Sequence, residues 1–155
     1  MLAAAVILPA LSDAALAGGS DDLGCSNATL KGAYAFSVLN IATAAGPSVI
    51  LGLTTFDGKG GLTQIDYPGN GATDLGLTAF RTGQTGSYTV NPNCTGFITV
   101  NLGATVGVTE NAFVISNGGR AIRSVIAGFT APNDTLLTPL QSRVDFWKVA
   151  SDRDD

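Results

Sequence analysis

A chain of 155 residues that is 45% apolar and only 13% charged is long enough for one domain with a real core and too weakly charged to be disordered. Its net charge of −4, with eight Lys and Arg scattered rather than grouped, excludes the basic surface that nucleic-acid backbones or anionic membranes require. With no His and only two Cys, it lacks the commonest general base and the four N or S ligands of a structural zinc site, so neither a metal nor a cofactor is expected.

Residues 1–12, MLAAAVILPALS, are uncharged and mostly apolar. Ala15-Leu16-Ala17 follows as a small-x-small cleavage pattern, ahead of the polar Gly18-Gly19-Ser20-Asp21-Asp22. This layout predicts a signal peptide over 1–17 and a secreted or periplasmic protein. The apolar run is shorter than the roughly 20 residues that span a bilayer, so no integral membrane segment is expected in the mature chain. The alternative is an N-terminal helix packed on the domain, in which Asp13 would be poorly placed. Residues 18–28 read as an N-terminal segment, 29–149 as the folded domain and 150–155 as a charged, unordered tail.

Within the domain, strand-like runs alternate with turn signals. The first is Thr29 to Leu39, with Tyr34, Phe36 and Val38 on one face. Val49 to Phe56 is the second, and Asp57-Gly58-Lys59-Gly60-Gly61 predicts a hairpin into a third, Leu62 to Tyr67. Ala72 to Gln84 fits either an irregular strand or a loop. Thr85 to Val90, Thr95 to Leu102, Glu110 to Ser116, Arg120 to Ala127 and Gln141 to Val149 complete the set, with a Pro-containing loop over Thr130 to Pro139. The pattern predicts about eight strands joined mostly by hairpins, each apolar on one face and Thr-, Ser-, Asn- or Arg-rich on the other. An eight-stranded antiparallel up-and-down barrel hides such faces and leaves no edges; a two-sheet β-sandwich is the alternative.

Cys25 precedes the first strand and Cys94 opens the fifth, both beside turns. In an exported protein two cysteines ordinarily pair, so a Cys25–Cys94 disulfide is expected; in a cytosolic one they would be two free thiols.

Three stretches carry a resemblance: Cys25-Ser26-Asn27-Ala28-Thr29-Leu30-Lys31-Gly32-Ala33-Tyr34-Ala35-Phe36, then Phe56-Asp57-Gly58-Lys59-Gly60, then Thr85 to Gly96, TGSYTVNPNCTG. Together they resemble small secreted bacterial proteins likened to the allene-oxide-cyclase-like and lipocalin-like (calycin) barrels, over most of Cys25 to Lys148. The resemblance implies an eight-stranded barrel and carries no catalytic residues onto this chain. Calycins open with Gly-x-Trp under an Arg of the last strand; here Gly32-Ala33-Tyr34 and Arg143 stand in similar places, which implies a Tyr34–Arg143 contact.

No catalytic constellation is evident. The carboxylates Asp57, Asp66, Asp74, Glu110 and Asp145 have no spacing that joins two of them, and no nucleophile elbow or phosphate loop occurs. The expected inward set is Tyr34, Phe36, Tyr88, Ile98, Val100, Phe113, Ile122, Ile126, Val144 and Phe146. These residues either fill a core or line a pocket for a small apolar ligand. A binding barrel is therefore the first functional expectation. A cyclase- or isomerase-type enzyme and a structural, partner-binding exported domain are the alternatives; oligomeric state is open.

Overall fold

The structure, a computed structural model, describes residues 23–42, 47–69, 78–133 and 141–149. The expected signal peptide over 1–17 and the tail over 150–155 lie outside the described residues.

Eight strands follow in chain order: β1 (Gly32–Ala42), β2 (Ser48–Phe56), β3 (Gly61–Gly69), β4 (Arg81–Val90), β5 (Thr95–Asn101), β6 (Val108–Ser116), β7 (Ala121–Thr130) and β8 (Gln141–Lys148). Each pairs antiparallel with the next, and β8 pairs with β1, so the sheet closes into an up-and-down barrel rather than a sandwich. Closure removes the unpaired edges that a half-apolar sheet would otherwise expose. Several boundaries differ from the expectation, among them the ends of β1 and β7, which run three residues further, to Ala42 and Thr130. Thr29 and Leu30 belong to a short 3-10 helix, Asn27–Leu30, instead of β1. β4 begins at Arg81, because Arg81-Thr82-Gly83-Gln84 is polar on both faces and hydrophobic alternation cannot detect it.

Alternation places Tyr34, Phe36 and Val38 of β1 inside with Ile98 and Val100 of β5, Phe113 of β6 and Val144 and Phe146 of β8. The outside is less polar than the pattern predicts. Leu39, Ile41, Val49, Leu51 and Tyr67 are exposed there, with Leu39 opposite Val49 and Leu51 opposite Tyr67 in the β1–β2–β3 register.

The barrel has two unlike ends. The short connections 57–60, 91–94 and 117–120 lie at one, where the helix Asn27–Leu30 plugs the opening. Leu30 is fully buried among the core side chains. Asn27 fastens the plug: its Oδ1 accepts the Val90 N–H at 2.9 Å and its carbonyl accepts the Tyr88 hydroxyl at 3.0 Å. The expected Cys25–Cys94 disulfide is present and ties the same segment to the β4–β5 hairpin. In the β2–β3 hairpin, Asp57 Oδ1 accepts N–H bonds from Lys59 at 2.7 Å, Gly60 at 3.0 Å and Gly61 at 2.9 Å. The Lys59 amide is the largest of the causes that hold this carboxyl below its ordinary range, and the three bonds fix the turn.

At the plugged end, Tyr34 packs edge-on against Phe56 at 5.3 Å, and Phe56 against Tyr88 at 4.9 Å. The Tyr34 hydroxyl donates to the Gly119 carbonyl. Burial, and then neighbouring Tyr88, push the Tyr34 phenol up to about 12. The fold therefore favours the neutral phenol. Its contribution is complete below the unfolded value of 10.0 and is lost as pH rises from there through about 12. Ultraviolet titration is expected to show one phenolate appearing near pH 12, together with loss of the native near-ultraviolet dichroism. A full phenolate count by pH 11 with the fold intact would contradict this.

Candidate functional site

The strands also decide where an interior space can remain. Aromatic and β-branched side chains fill the plugged half, and Phe36 and Phe146, 5.5 Å apart, form a floor across the middle. Above them, toward the end where β1, β3, β5 and β7 finish, a cavity of about 50 Å³ remains, partly open to solvent. Val38, Ile50, Val100, Leu102, Ile126 and Val144 give it apolar walls. Gln64, Asp66, Thr109 and Asn111 interrupt those walls with polar groups.

β3 carries the first polar group because Leu62, Gln64 and Asp66 share its inner face. Asp66 is 2% exposed, and three donors hold it. Arg81 Nε reaches Oδ1 at 2.7 Å, Arg81 Nη2 reaches Oδ2 at 2.6 Å, and Gln84 Nε2 reaches Oδ1 at 2.7 Å. The fork of Arg81 thus pairs the carboxylate bidentately, the strongest geometry for such a pair. Behind it runs a directional chain: Thr54 Oγ1 donates to Gln64 Oε1 at 2.8 Å, and Gln64 Nε2 donates to Gln84 Oε1 at 2.8 Å. Nearer the open end, Asn40 Nδ2 donates to Ser48 Oγ at 2.7 Å and Asn40 Oδ1 accepts the Ser142 hydroxyl.

β6 carries the second group. Thr109, Asn111 and Phe113 alternate inward along it, and the β6–β7 register shifts between Glu110 and Asn111. Its amide is 5% exposed and poorly satisfied. Nδ2 lies 3.5 Å from the Ile98 carbonyl and 3.5 Å from Thr109 Oγ1, both at the limit of a hydrogen bond. No described residue donates to Asn111 Oδ1.

All ten residues of the expected inward set face the interior. The structure divides them. Phe36, Val100, Ile126, Val144 and Phe146 border the cavity, while Tyr34, Tyr88, Ile98, Phe113 and Ile122 pack the filled half. The Tyr34–Arg143 contact is not formed. Val144 and Phe146 point inward, so strand alternation sends Arg143 outward, where its side chain is 61% exposed and its Nε meets Asp145 Oδ2 at 2.8 Å. Lys148, of inward parity, takes the cation's place instead, with Nζ 5.9 Å from the centre of the Tyr34 ring. Of the other carboxylates, Asp145 is shared on the outer face by Arg123 and Arg143, Glu110 is exposed, and Asp74 lies outside the described residues.

Asp66 and its partners were not in the expected set, although the period-2 spacing of Leu62, Gln64 and Asp66 contains the signal. Polar side chains on an inner face look like an outer face when apolarity alone is counted. Arg81 and Gln84 lie in the stretch that pattern left open. No known family's sequence profile matches the chain, and no curated protein is similar to it in sequence.

Proposed function

We propose that the chain is an exported binding barrel that takes a compact, mostly apolar small molecule at its open end. The observation that carries this reading is the half-open cavity itself, with apolar walls and an aromatic floor crossed by four polar side chains. Binding sites combine greasy walls with a few placed polar groups in this way, whereas a merely structural core gains nothing from leaving Asn111 under-bonded. The enclosed space of about 50 Å³ is too small for a long acyl chain and is a third of the roughly 150 Å³ of an engineered cavity that admits benzene, so a guest of one ring has to occupy the open mouth as well. The disulfide suits an oxidising compartment, in keeping with export. The barrel architecture supports the likeness to calycin-type binders only at the level of fold.

The cyclase or isomerase reading is weaker. Asp66, the one carboxylate lining the cavity among the described residues, already accepts three hydrogen bonds from Arg81 and Gln84, which occupy positions that a substrate proton would need. A partner-binding role has one observation in its favour, the exposed Leu39, Ile41, Val49, Leu51 and Tyr67 on the outer face. Sedimentation at rising concentration tests self-association through that face.

Titration of the ¹⁵N-labelled domain with cyclohexanol tests the binding reading. Amides of Val38, Val100 and Asn111 are expected to shift, those of the plugged end to stay, and Ile126→Phe, which fills the mouth, to abolish the effect. An absence of shifts at tens of millimolar, or shifts only on the outer face, removes the proposal.

A further inference from the structure

We infer that the cavity, read as a small-molecule site as above, selects uncharged ligands carrying an amide-type edge against carboxylates of the same shape, and that Asn111 is the anchor. Two observations on different walls carry this. Among the described residues, the only acidic side chain bordering the space is Asp66, on the β3 wall, and no Lys or Arg borders it. Arg81 lies behind Asp66, with both of its bonded nitrogens directed at that carboxylate. An entering carboxylate would meet a like charge first and would leave water without a cation to receive it, a costly transfer. A neutral N–H or O–H donor meets the opposite situation, because Asp66 Oδ2 accepts only one bond and retains a lone pair.

On the β6 wall, Asn111 is nine-tenths buried and borders the same space, yet its acceptor oxygen has no donor among the described residues. Its Nδ2 has only two contacts of 3.5 Å. An amide side chain in this condition offers one acceptor and one donor side by side, the complement of another amide's edge. Whichever way the Asn111 amide is turned, one end of it lacks a good partner, so the inference does not depend on its orientation. A ligand that pairs this amide inside the partly open space makes hydrogen bonds that the protein itself does not supply there.

Cyclohexanecarboxamide and cyclohexanecarboxylate share shape and differ in charge, and they serve as probes with methylcyclohexane as the apolar reference. Titrated at pH 7 and followed by amide shifts, the carboxamide is expected to bind roughly 100-fold more tightly than the carboxylate. Asn111→Leu, checked for a native-like spectrum, is expected to weaken the carboxamide roughly tenfold and to leave methylcyclohexane unchanged or tighter. The carboxamide comparison in the unaltered protein needs no variant to fold. Equal or tighter binding of the carboxylate overturns the inference while leaving the cavity a binding site. So does an Asn111→Leu protein that binds the carboxamide undiminished. Failure of all three probes to bind overturns the site itself.

Discussion

A Cys25→Ser, Cys94→Ser protein is expected to lose about 4 kcal/mol of unfolding free energy, the loop-closure value for cysteines 69 residues apart. In a domain of this size that lowers the melting temperature by roughly 10 °C. The loss concentrates at the plug, because Cys25 immediately precedes the helix Asn27–Leu30 and Cys94 closes the hairpin on which Asn27 rests. Backbone conformation allows a finer measurement. Cys94 has φ 65°, in the left-handed region usually given to Gly, so a side chain is tolerated there at a cost. With Cys25→Ser held constant, Cys94→Gly is expected to be more stable than Cys94→Ser by about 1 kcal/mol. Denaturant unfolding without reductant checks both values. A double serine variant that unfolds at the parent midpoint would show that the bond contributes nothing, and equal Gly and Ser variants would refute the backbone argument.

The second large effect is expected at Gly96. This buried residue of β5 has Phe113 Cζ 2.5 Å, and the Thr89 carbonyl oxygen 2.0 Å, from the point a Cβ would occupy. The ring of Phe113 lies directly on the bare backbone, an arrangement that lets a small barrel curve tightly without a void. Gly96→Ala forces ring and strand apart and is expected to cost about 3 kcal/mol. Adding Phe113→Leu should recover only part of this, since the Thr89 oxygen belongs to the backbone and cannot swing away. Thermal unfolding of the single and double variants tests the account. A Gly96→Ala protein as stable as the parent, or complete recovery in the double variant, would count against it. Gly52 repeats the device under Phe36.

Alternation and turn residues were enough to read the strands and their inward faces, whereas the choice of barrel over sandwich also drew on the resemblance and the disulfide on the expectation of export. Arg143 shows how a likeness can mislead where parity would have served: placing Val144 and Phe146 inside already sends Arg143 out. The polar side of the cavity was less legible. Gln64 and Asp66 read as outer-face residues until Phe56 and Leu62 are paired across the hairpin, which puts all of them on one side. Arg81 and Gln84 could not be joined to Asp66 from sequence, since the β3–β4 register shifts between Gln64 and Asp66. Asn111 follows by parity from Phe113, which was expected inside, but its polarity hides it when apolarity alone is counted.

The chain of donors from Thr54 through Gln64 and Gln84 to Asp66 runs one way only, each amide's orientation dictated by its neighbour and the last by a fixed negative charge. A slide of β3 by one position would carry Gln64 and Asp66 to the surface, bring in Thr63, Ile65 and Tyr67, and strand the Arg81 fork. Alignment of three strands is thus written in polarity as well as in grease. Remodelling the polar side of this mouth would mean loosening the clasp that keeps those strands in step.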